Sequence, residues 1–281
     1  MRKYCICSDT FPGWSVEDIF DFASKTGYQA VELASYSFCE SITDVDAAER
    51  QQMTDWADAA DIEIAGMHAL FTPIPGLRPL HNCPAWLQMN SADAEIRRKT
   101  ADYLKELIRF TGEVGGKNVV LGSAASRNIP KEIPFIEGWK NSRETLREAA
   151  EYAAQFDVVV SLEPIAANLT NFINTPDDAM KMVQEVEHPN LKWMLDCFAA
   201  YNQGVDIPAA IRRYGADLAH VHMNDENKSW PGTGRIDFVA VAQALKDVGY
   251  SGYLSVEVFD LRPDPETIAV EALKSLRALF D

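Results

Sequence analysis

Four acidic or imidazole side chains stand at the ends of short apolar segments in the second half of the chain. The segments are VVVSLEP (158–164), LKWMLDC (191–197), LAHVHMND (218–225) and YLSVEVFD (253–260), and the side chains are Glu163, Asp196, His222 and Glu257. Each segment has the length and composition of a buried strand. In a barrel of parallel strands, all strands end on the same face, and that face carries the chemistry. The four side chains are therefore predicted to converge at one site.

Three carboxylates and one imidazole are a suitable ligand set for a divalent cation. The four residues are 33, 26 and 35 positions apart in chain order, and each separation is the length of one βα unit. Four successive strands would then contribute one ligand each. Oxygen and neutral imidazole ligands suit Mn²⁺, Mg²⁺, Co²⁺ or Zn²⁺, whereas softer metals prefer thiolates. The alternative is that these are unrelated polar residues at strand ends.

Two of the four residues, Glu163 and Glu257, are predicted to face one another across the cation. A cation that polarises a ketone and the adjacent hydroxyl acidifies the carbon between them and stabilises an enediolate. One glutamate would remove the proton and the other would return it, and acid–base help of this kind contributes about 10²–10⁴-fold in rate. Taken singly, either glutamate is explained equally well by an ion pair at a strand end.

The rest of the chain supplies the elements that position these side chains. Strand-like segments alternate with longer amphipathic segments, which is the pattern of βα units. Eight strands and eight helices can be counted, and neither a repeat nor a linker interrupts the series. The sequence therefore predicts an α/β fold, a single (β/α)8 TIM barrel, with one domain over residues 1–281.

Helix boundaries carry local signals. Ser15 is predicted to cap the first helix because acidic residues follow it in the first turn, and Gly27 is predicted to end that helix. Either Thr175 or Asn174 is predicted to cap a later helix, with Pro176 at its first position.

Further polar and aromatic residues near the strand ends are candidates for substrate contact. His68 closes the third predicted strand, and Arg127 lies in the loop after the fourth. The ordinary alternatives are a structural histidine and a solvated loop arginine. Glu32, near the end of the second strand, is predicted either to bind substrate or to pair with a neighbour. Trp14 is a candidate to stack on a sugar ring, with packing as the alternative.

A long stretch between the third strand and the next helix, residues 70–92, is rich in proline and aromatic residues. Loops of this length inside a compact domain are usually functional. We expect this stretch to form a lid over the barrel mouth, with a structural flap as the alternative.

Composition and charge exclude several classes of protein. The chain has 281 residues, of which 47% are hydrophobic, and a formal net charge of −16. An acidic surface repels phosphate backbones, so we expect no nucleic-acid partner. No segment approaches the roughly 18 apolar residues of a membrane span, and five scattered cysteines favour reduced thiols. We expect a cytoplasmic protein with no membrane partner.

The chain resembles the sugar phosphate isomerase/epimerase superfamily, whose members have a xylose isomerase-like barrel. The resemblance covers nearly the whole chain and is carried by SLEPI, NFINTPDDA, WMLDCF, HVHMND, WPGTGRIDF and LSVEVF. This superfamily includes ketose 3-epimerases, inosose isomerases and dehydratases, and hydroxypyruvate isomerase.

The resemblance implies roles for the four residues. It implies that Glu163, Asp196, His222 and Glu257 bind one divalent cation, commonly manganese, and that the two glutamates are the acid–base pair. It also implies a small-molecule carbohydrate substrate and a homodimer or homotetramer.

The chain departs from the epimerases of this superfamily at several substrate-contacting positions. Ala199 stands where they carry a histidine three residues after the aspartate. Ala166, Ala167 and Leu169 replace an Asn-Arg pair and a further glutamate. Lys228 falls where they carry a substrate-binding arginine and is a candidate to bind substrate in its place. Buried polar partners for hydroxyl groups discriminate strongly between substrates, so their loss disfavours a free ketohexose.

The sequence thus predicts a divalent-metal-dependent isomerase or epimerase of a ketose-like carbohydrate. A dehydratase or lyase acting on an inosose or keto-sugar shares the first proton abstraction and remains open. A carbohydrate-binding barrel without activity also remains open. An abasic-site endonuclease with three zinc ions shares the barrel, but it needs more histidines than the five in this chain.

Overall fold

The computed structural model describes residues 3–68 and 87–281. Eight parallel strands close into a barrel in chain order, and the last strand pairs with the first. The strands are β1 (Lys3–Cys7), β2 (Ala30–Ala34), β3 (Glu63–His68), β4 (Asn118–Leu121), β5 (Val159–Leu162), β6 (Leu191–Asp196), β7 (Leu218–Met223) and β8 (Tyr253–Val256). The predicted (β/α)8 TIM barrel is confirmed.

Nine α-helices lie among the described residues, one more than the sequence predicts. They are α1 (Val16–Thr26), α2 (Ala47–Ala60), α3 (Ala94–Glu113), α4 (Phe135–Ala153), α5 (Pro176–Val186), α6 (Cys197–Asn202), α7 (Ile207–Tyr214), α8 (Phe238–Asp247) and α9 (Pro265–Phe280). The additional helix is α6, which starts directly after β6. Asp196 caps it, because its Oδ1 accepts the backbone N–H of Ala199 at 2.5 Å. The segment CFAAYN is too short to show helical periodicity, and the prediction therefore missed it.

The predicted helix caps are present. Ser15 Oγ accepts a backbone N–H in the first turn of α1, and Gly27 ends that helix with a left-handed φ of 106°. Thr175, rather than Asn174, caps α5 and forms a reciprocal capping box with Asp178. Such caps satisfy backbone groups that a helix end leaves unpaired, so these boundaries were readable from sequence.

The strands are buried on both faces, between the barrel interior and the surrounding helices. All residues of β2 and β4 are buried. Parallel strands in this setting are continuous apolar segments rather than alternating ones. Ionisable side chains buried at such strands are exceptions that require partners. Here they are Glu32, His68, Asp196, His220 and His222, together with Glu257 directly after β8.

The predicted lid falls largely outside the described residues. Of that stretch, residues 87–92 are described, and Met89 donates its backbone N–H to the carbonyl of Ser126 at 2.8 Å. Asn90 Nδ2 donates to the carbonyl of Arg127 at 2.8 Å. The end of the stretch therefore packs against the loop after β4, and the lid itself stays a prediction.

Two expectations from composition concern the described residues. Cys5, Cys7, Cys39 and Cys197 have free thiols, while Cys83 lies outside the described ranges. Among the helices that the structure describes, none combines the length and apolar character needed to cross a membrane.

Candidate active site

The four predicted ligands converge at the C-terminal end of the barrel. Glu163 directly follows β5, Asp196 ends β6, His222 lies in β7 and Glu257 directly follows β8. Ligand atoms of Glu163, Asp196 and His222 lie within 4.8 Å of one another. The Nδ1 atom of His222 is 3.0 Å from Glu257 Oε2 and 3.8 Å from Asp196 Oδ2. Four side chains on four successive strand ends thus surround one point.

Crowding of the three carboxylates favours a bound cation at this point. Burial, reinforced by the charges of Asp196 and Glu257, raises the pKa of Glu163 well above its ordinary value. Burial and the charge of Glu257 raise the pKa of Asp196 to about 7. Like charges at this separation disfavour ionisation, and a divalent cation between them reverses that effect. The ligand set fits Mn²⁺, Mg²⁺, Co²⁺ or Zn²⁺.

The glycine after β4 leaves room for one ligand. A Cβ placed on Gly122 would lie 1.7 Å from Glu163 Oε2. Only a residue without a side chain lets the Glu163 carboxylate occupy its position. Gly122 is not recognisable from the sequence as part of the site, because a glycine in a loop signals a turn more often than contact with a distant side chain.

Glu32 orients His222 from the opposite side of the barrel interior. Its Oε1 is 3.2 Å from His222 Nε2, and its Oε2 is 2.7 Å from His220 Nε2. Ser255 Oγ also donates to Oε2, at 2.7 Å. Burial would raise the pKa of Glu32, but the two histidines outweigh it and hold that pKa well below the ordinary value. Since Nε2 of His222 is held by Glu32, its Nδ1 faces the other ligands, a common arrangement for a metal-binding histidine.

Asn224 connects two of the ligands and was not identified from the sequence. Its Nδ2 donates to Asp196 Oδ2 at 2.7 Å and to Glu257 Oε2 at 3.4 Å. Its Oδ1 accepts the backbone N–H of Phe198 at 2.9 Å. Side chains alternate along a strand, so His220, His222 and position 224 share one face of β7 and its continuation. That signal could have found Asn224 if the pattern had been followed past the end of the strand.

His68 joins the site from β3. Its Nε2 is 3.3 Å from Asp9 Oδ2 and 3.8 Å from Glu257 Oε1. Burial opposes protonation of the ring, but the charges of Asp9, Glu32 and Glu257 raise the pKa of His68 to about 9. Tyr36 donates its hydroxyl to Asp9 Oδ2 at 2.7 Å. His68 thus lies where it can meet a substrate oxygen, and that role stays a prediction.

Arg127 is buried rather than solvated. Its side chain is 1% exposed, and its Nη1 donates to the carbonyl of Leu121 at 3.3 Å. Burial lowers the pKa of Arg127 to about 10, against the opposing charge of Glu163. The alternative of a solvated loop arginine is therefore wrong. Arg127 is nevertheless not one of the residues that line the cavity.

Three other predicted substrate contacts also lie outside the cavity lining. Glu32 is fully buried and pairs with histidines, which is the second of its two predicted roles. Lys228 is exposed in the loop after β7, where its carbonyl accepts the backbone N–H of Phe259 at 2.9 Å. Trp14 packs against Phe11 and Phe22, with ring centroids 5.3 and 5.4 Å away, and borders a separate groove. These environments depend on contacts between residues far apart in the chain, which no local pattern encodes.

The four predicted ligands and His68 form the ionisable part of a cavity of about 290 Å³. All other described residues that line it lack a polar side chain: Val120, Gly122, Ala124, Ile165, Ala166, Leu169, Phe198, Ala199 and Phe259. The cavity therefore combines one charged cluster with apolar walls.

A closed parallel barrel with a carboxylate–imidazole cluster at its C-terminal end defines a (β/α)8 protein with a candidate metal centre. Residues 20–279 match the model of the xylose isomerase-like TIM barrel family. The chain belongs to that family, and the resemblance seen in the sequence motifs is confirmed.

The chain is similar to several proteins that are named as epimerases. The chain is 28% identical to the L-ribulose 3-epimerase of Mesorhizobium japonicum over 205 residues, which cover 73% of this chain and 69% of that protein. It is 26% identical to the fructoselysine 3-epimerase of Shigella flexneri, over 94% of this chain and 93% of that one. The structure of D-psicose 3-epimerase from Clostridium cellulolyticum H10 superposes with a TM-score of 0.84 at 22% identity, covering 99% of each chain. This last likeness shows the fold.

Proposed function

We propose that this protein is a divalent-metal-dependent epimerase or isomerase of a ketose-like carbohydrate. The observation that carries the proposal is the convergence of Glu163, Asp196, His222 and Glu257 in one cavity. The names of the relatives, which are epimerases of sugars, support the class of reaction.

The same four residues would hold the cation, with manganese favoured by the family resemblance and Mg²⁺, Co²⁺ or Zn²⁺ as alternatives. When bound, such a cation supplies polarisation of a substrate carbonyl and stabilisation of the negative charge that develops beside it. Glu32 fixes the ring of His222, and Asn224 fixes the carboxylates of Asp196 and Glu257.

Glu163 and Glu257 carry the proton transfers. They come from β5 and β8, so a substrate carbon between them meets a carboxylate on each side. One carboxylate removes the proton from carbon. If the other carboxylate delivers a proton to the opposite face, the configuration is inverted, which is epimerisation. If a proton is instead delivered to the neighbouring carbon, and the hydroxyl proton moves from one oxygen to the other, the carbonyl changes place and the result is isomerisation.

The metal content of the purified protein tests the binding site. We expect about one equivalent of a divalent metal by elemental analysis, and its loss in His222→Ala. His188→Ala is a matched control, because His188 lies after α5 and its Nδ1 accepts the backbone N–H of Asn190 at 3.2 Å. Metal in neither the wild type nor the reconstituted protein would contradict the proposed site.

Proton exchange tests the reaction. Ketoses and inososes incubated with the metal-loaded protein in D₂O should gain deuterium beside the carbonyl, as seen by NMR. Glu163→Gln and Glu257→Gln should each slow this exchange by about 10²–10⁴-fold. Absorbance from a new double bond would instead indicate a dehydratase or lyase. Bound metal without exchange on any of these compounds would indicate a binding protein.

A further inference from the structure

The loop between β7 and α8 is folded around one buried carboxylate, that of Asp225, which is 0% exposed. Backbone N–H groups donate to both of its oxygens. Oδ1 accepts from Glu226 at 2.9 Å and from Ile236 at 3.1 Å, and Oδ2 accepts from Gly232 at 3.0 Å and from Gly234 at 2.8 Å. Burial of a carboxylate is costly unless its oxygens are hydrogen-bonded, and four backbone donors meet that need here. The Asp225 carboxylate therefore joins the two ends of the loop.

The close approach of Gly234 leaves room for this carboxylate. A Cβ placed on Gly234 would lie 2.6 Å from Asp225 Oδ1 and 1.9 Å from Glu226 Oε2. A side chain at this position would displace both carboxylates. The second glycine of the WPGTGRIDF motif is thus explained by its contact with Asp225.

The same loop fixes the backbone carbonyl of Lys228. Lys228 donates its N–H to the carbonyl of Asp225 at 2.9 Å, and Asp225 donates its own N–H to the carbonyl of Ser229 at 2.8 Å. The turn gives Lys228 a left-handed φ of 72°, which a residue other than glycine keeps only where its surroundings hold it. The Lys228 carbonyl accepts the backbone N–H groups of Phe259 and Asp260, at 2.9 Å each. The loop after β7 is therefore bonded to the segment after β8.

Glu257 lies between the end of β8, at Val256, and this attachment. Its carboxylate contacts the start of the same loop, because Asn224 Nδ2 donates to Glu257 Oε2 at 3.4 Å. Asn224 directly precedes Asp225 in the chain. The loop thus holds both the side chain of Glu257 and the backbone two residues beyond it.

We propose that Asp225 is a positioning residue for Glu257. Its carboxylate holds the loop after β7, and that loop holds Glu257 where it can act as a metal ligand and as an acid–base group. The inference rests on the proposed function, since that function gives Glu257 these two roles. Residues that support metal ligands typically change metal affinity or activity by about 10–100-fold when they are substituted.

Asp225→Asn tests the inference, because an amide NH₂ group cannot accept the backbone N–H groups that one carboxylate oxygen accepts. We expect the Kd for Mn²⁺, measured by calorimetry, to rise by about 10–100-fold. Native-state hydrogen exchange of the Phe259 and Asp260 amides should become faster, with or without metal, because their bonds to Lys228 are loosened. Asp206→Asn is the matched control. It makes the same change of charge at the start of α7, where Asn caps a helix as well as Asp does, and should change neither measurement.

A second variant keeps the charge of Asp225. Gly234→Ala pushes a Cβ toward the Asp225 carboxylate and should raise the Kd for Mn²⁺ and speed the same amide exchange. This variant tests the inference even if Asp225→Asn fails to fold.

A double-mutant cycle separates positioning of Glu257 from general stabilisation. In a Glu257→Ala background, Asp225→Asn should have no further effect on the Kd for Mn²⁺, because the group that Asp225 positions is gone. In a Glu163→Ala background, the full effect of Asp225→Asn should persist. A residue that only stabilised the barrel would act equally in both backgrounds.

Unchanged exchange of the Phe259 and Asp260 amides in both Asp225→Asn and Gly234→Ala would overturn the inference. Equal effects on the Kd in the two backgrounds would also overturn it. If the wild type binds metal and exchanges substrate protons, and Asp225→Asn does both equally well, the proposed function stands and this inference alone falls. If the wild type binds no metal, the proposed function fails and this inference fails with it.

Discussion

Gly122→Ala is expected to damage the active site while leaving the fold nearly unchanged. The added Cβ would lie 1.7 Å from Glu163 Oε2, whereas ordinary contacts begin at 3.4 Å. The carboxylate oxygen must therefore retreat by about 1.7 Å. It is the far end of a flexible side chain, so rotation can relieve the clash. We expect the free energy of unfolding of the metal-free protein to change by no more than about 1 kcal/mol.

This displacement is expected to affect activity and metal binding more than the free energy of unfolding. Misplacing a catalytic group by about 1 Å can cost on the order of 10²-fold in rate. Glu163 is both a proposed metal ligand and a proposed acid–base group. We therefore expect Gly122→Ala to lower kcat/KM by about 10²-fold and to weaken metal binding measurably.

Three measurements check this prediction: metal affinity by calorimetry, deuterium exchange by NMR, and unfolding by denaturant. Gly204→Ala is the control. At Gly204 the added Cβ meets no atom within 4 Å, and the left-handed φ of 70° should cost roughly 1–2 kcal/mol of stability. That variant should lose stability and keep its metal affinity, the opposite of Gly122→Ala.

A double-mutant cycle identifies the cause. In a Glu163→Ala background, Gly122→Ala should have no further effect on metal affinity, because the group it displaces is gone. If Gly122→Ala binds metal and exchanges protons like the wild type, the placement of Glu163 against Gly122 is refuted. If the two substitutions act additively, the effect of Gly122→Ala does not pass through Glu163.

Other consequences of the structure can be measured in the same preparations. Glu32→Gln removes the charge that orients His222 and should weaken metal binding by about 10–100-fold, and unchanged affinity by calorimetry would contradict that role. Removing the metal from the wild type with a chelator should lower its thermal unfolding midpoint, since a metal at 100 times its Kd stabilises the folded protein by about 2.7 kcal/mol. The same chelator should leave the midpoint of His222→Ala unchanged, because that variant is expected to hold no metal. Thr175→Ala removes the α5 cap and should cost about 1 kcal/mol in denaturant unfolding, while metal content stays that of the wild type.

The barrel was predictable because its signals are local. Apolar segments alternate with amphipathic ones along the chain, and caps such as Ser15 and Thr175 mark where helices begin. The short helix α6 was not predicted, because six residues are too few to display a helical period. Its cap, Asp196, was predicted to be a metal ligand, and no local pattern shows that the same carboxylate also caps a helix.

The convergence of the four ligands was predictable for a related reason. Parallel strands in a barrel all end on one face, so four polar residues that each close an apolar segment must meet there. Their chemical types then define the kind of ion. The four side chains can be placed next to one another only if the order of the strands in the sheet is known. In a (β/α)8 barrel the strands neighbour one another in the order in which they follow along the chain.

The surroundings of the ligands were decided by the tertiary structure. Glu32 contacts His220 and His222 across the barrel interior, between strands that are not neighbours, and sequence alternation does not tell interior from exterior. Arg127 is buried and Lys228 is exposed, although both lie in loops between a strand and the next helix. The sequence by itself determined the fold and the four converging side chains. Only the tertiary structure decided which groups orient the ligands and which walls enclose them, because those contacts join residues far apart in the chain.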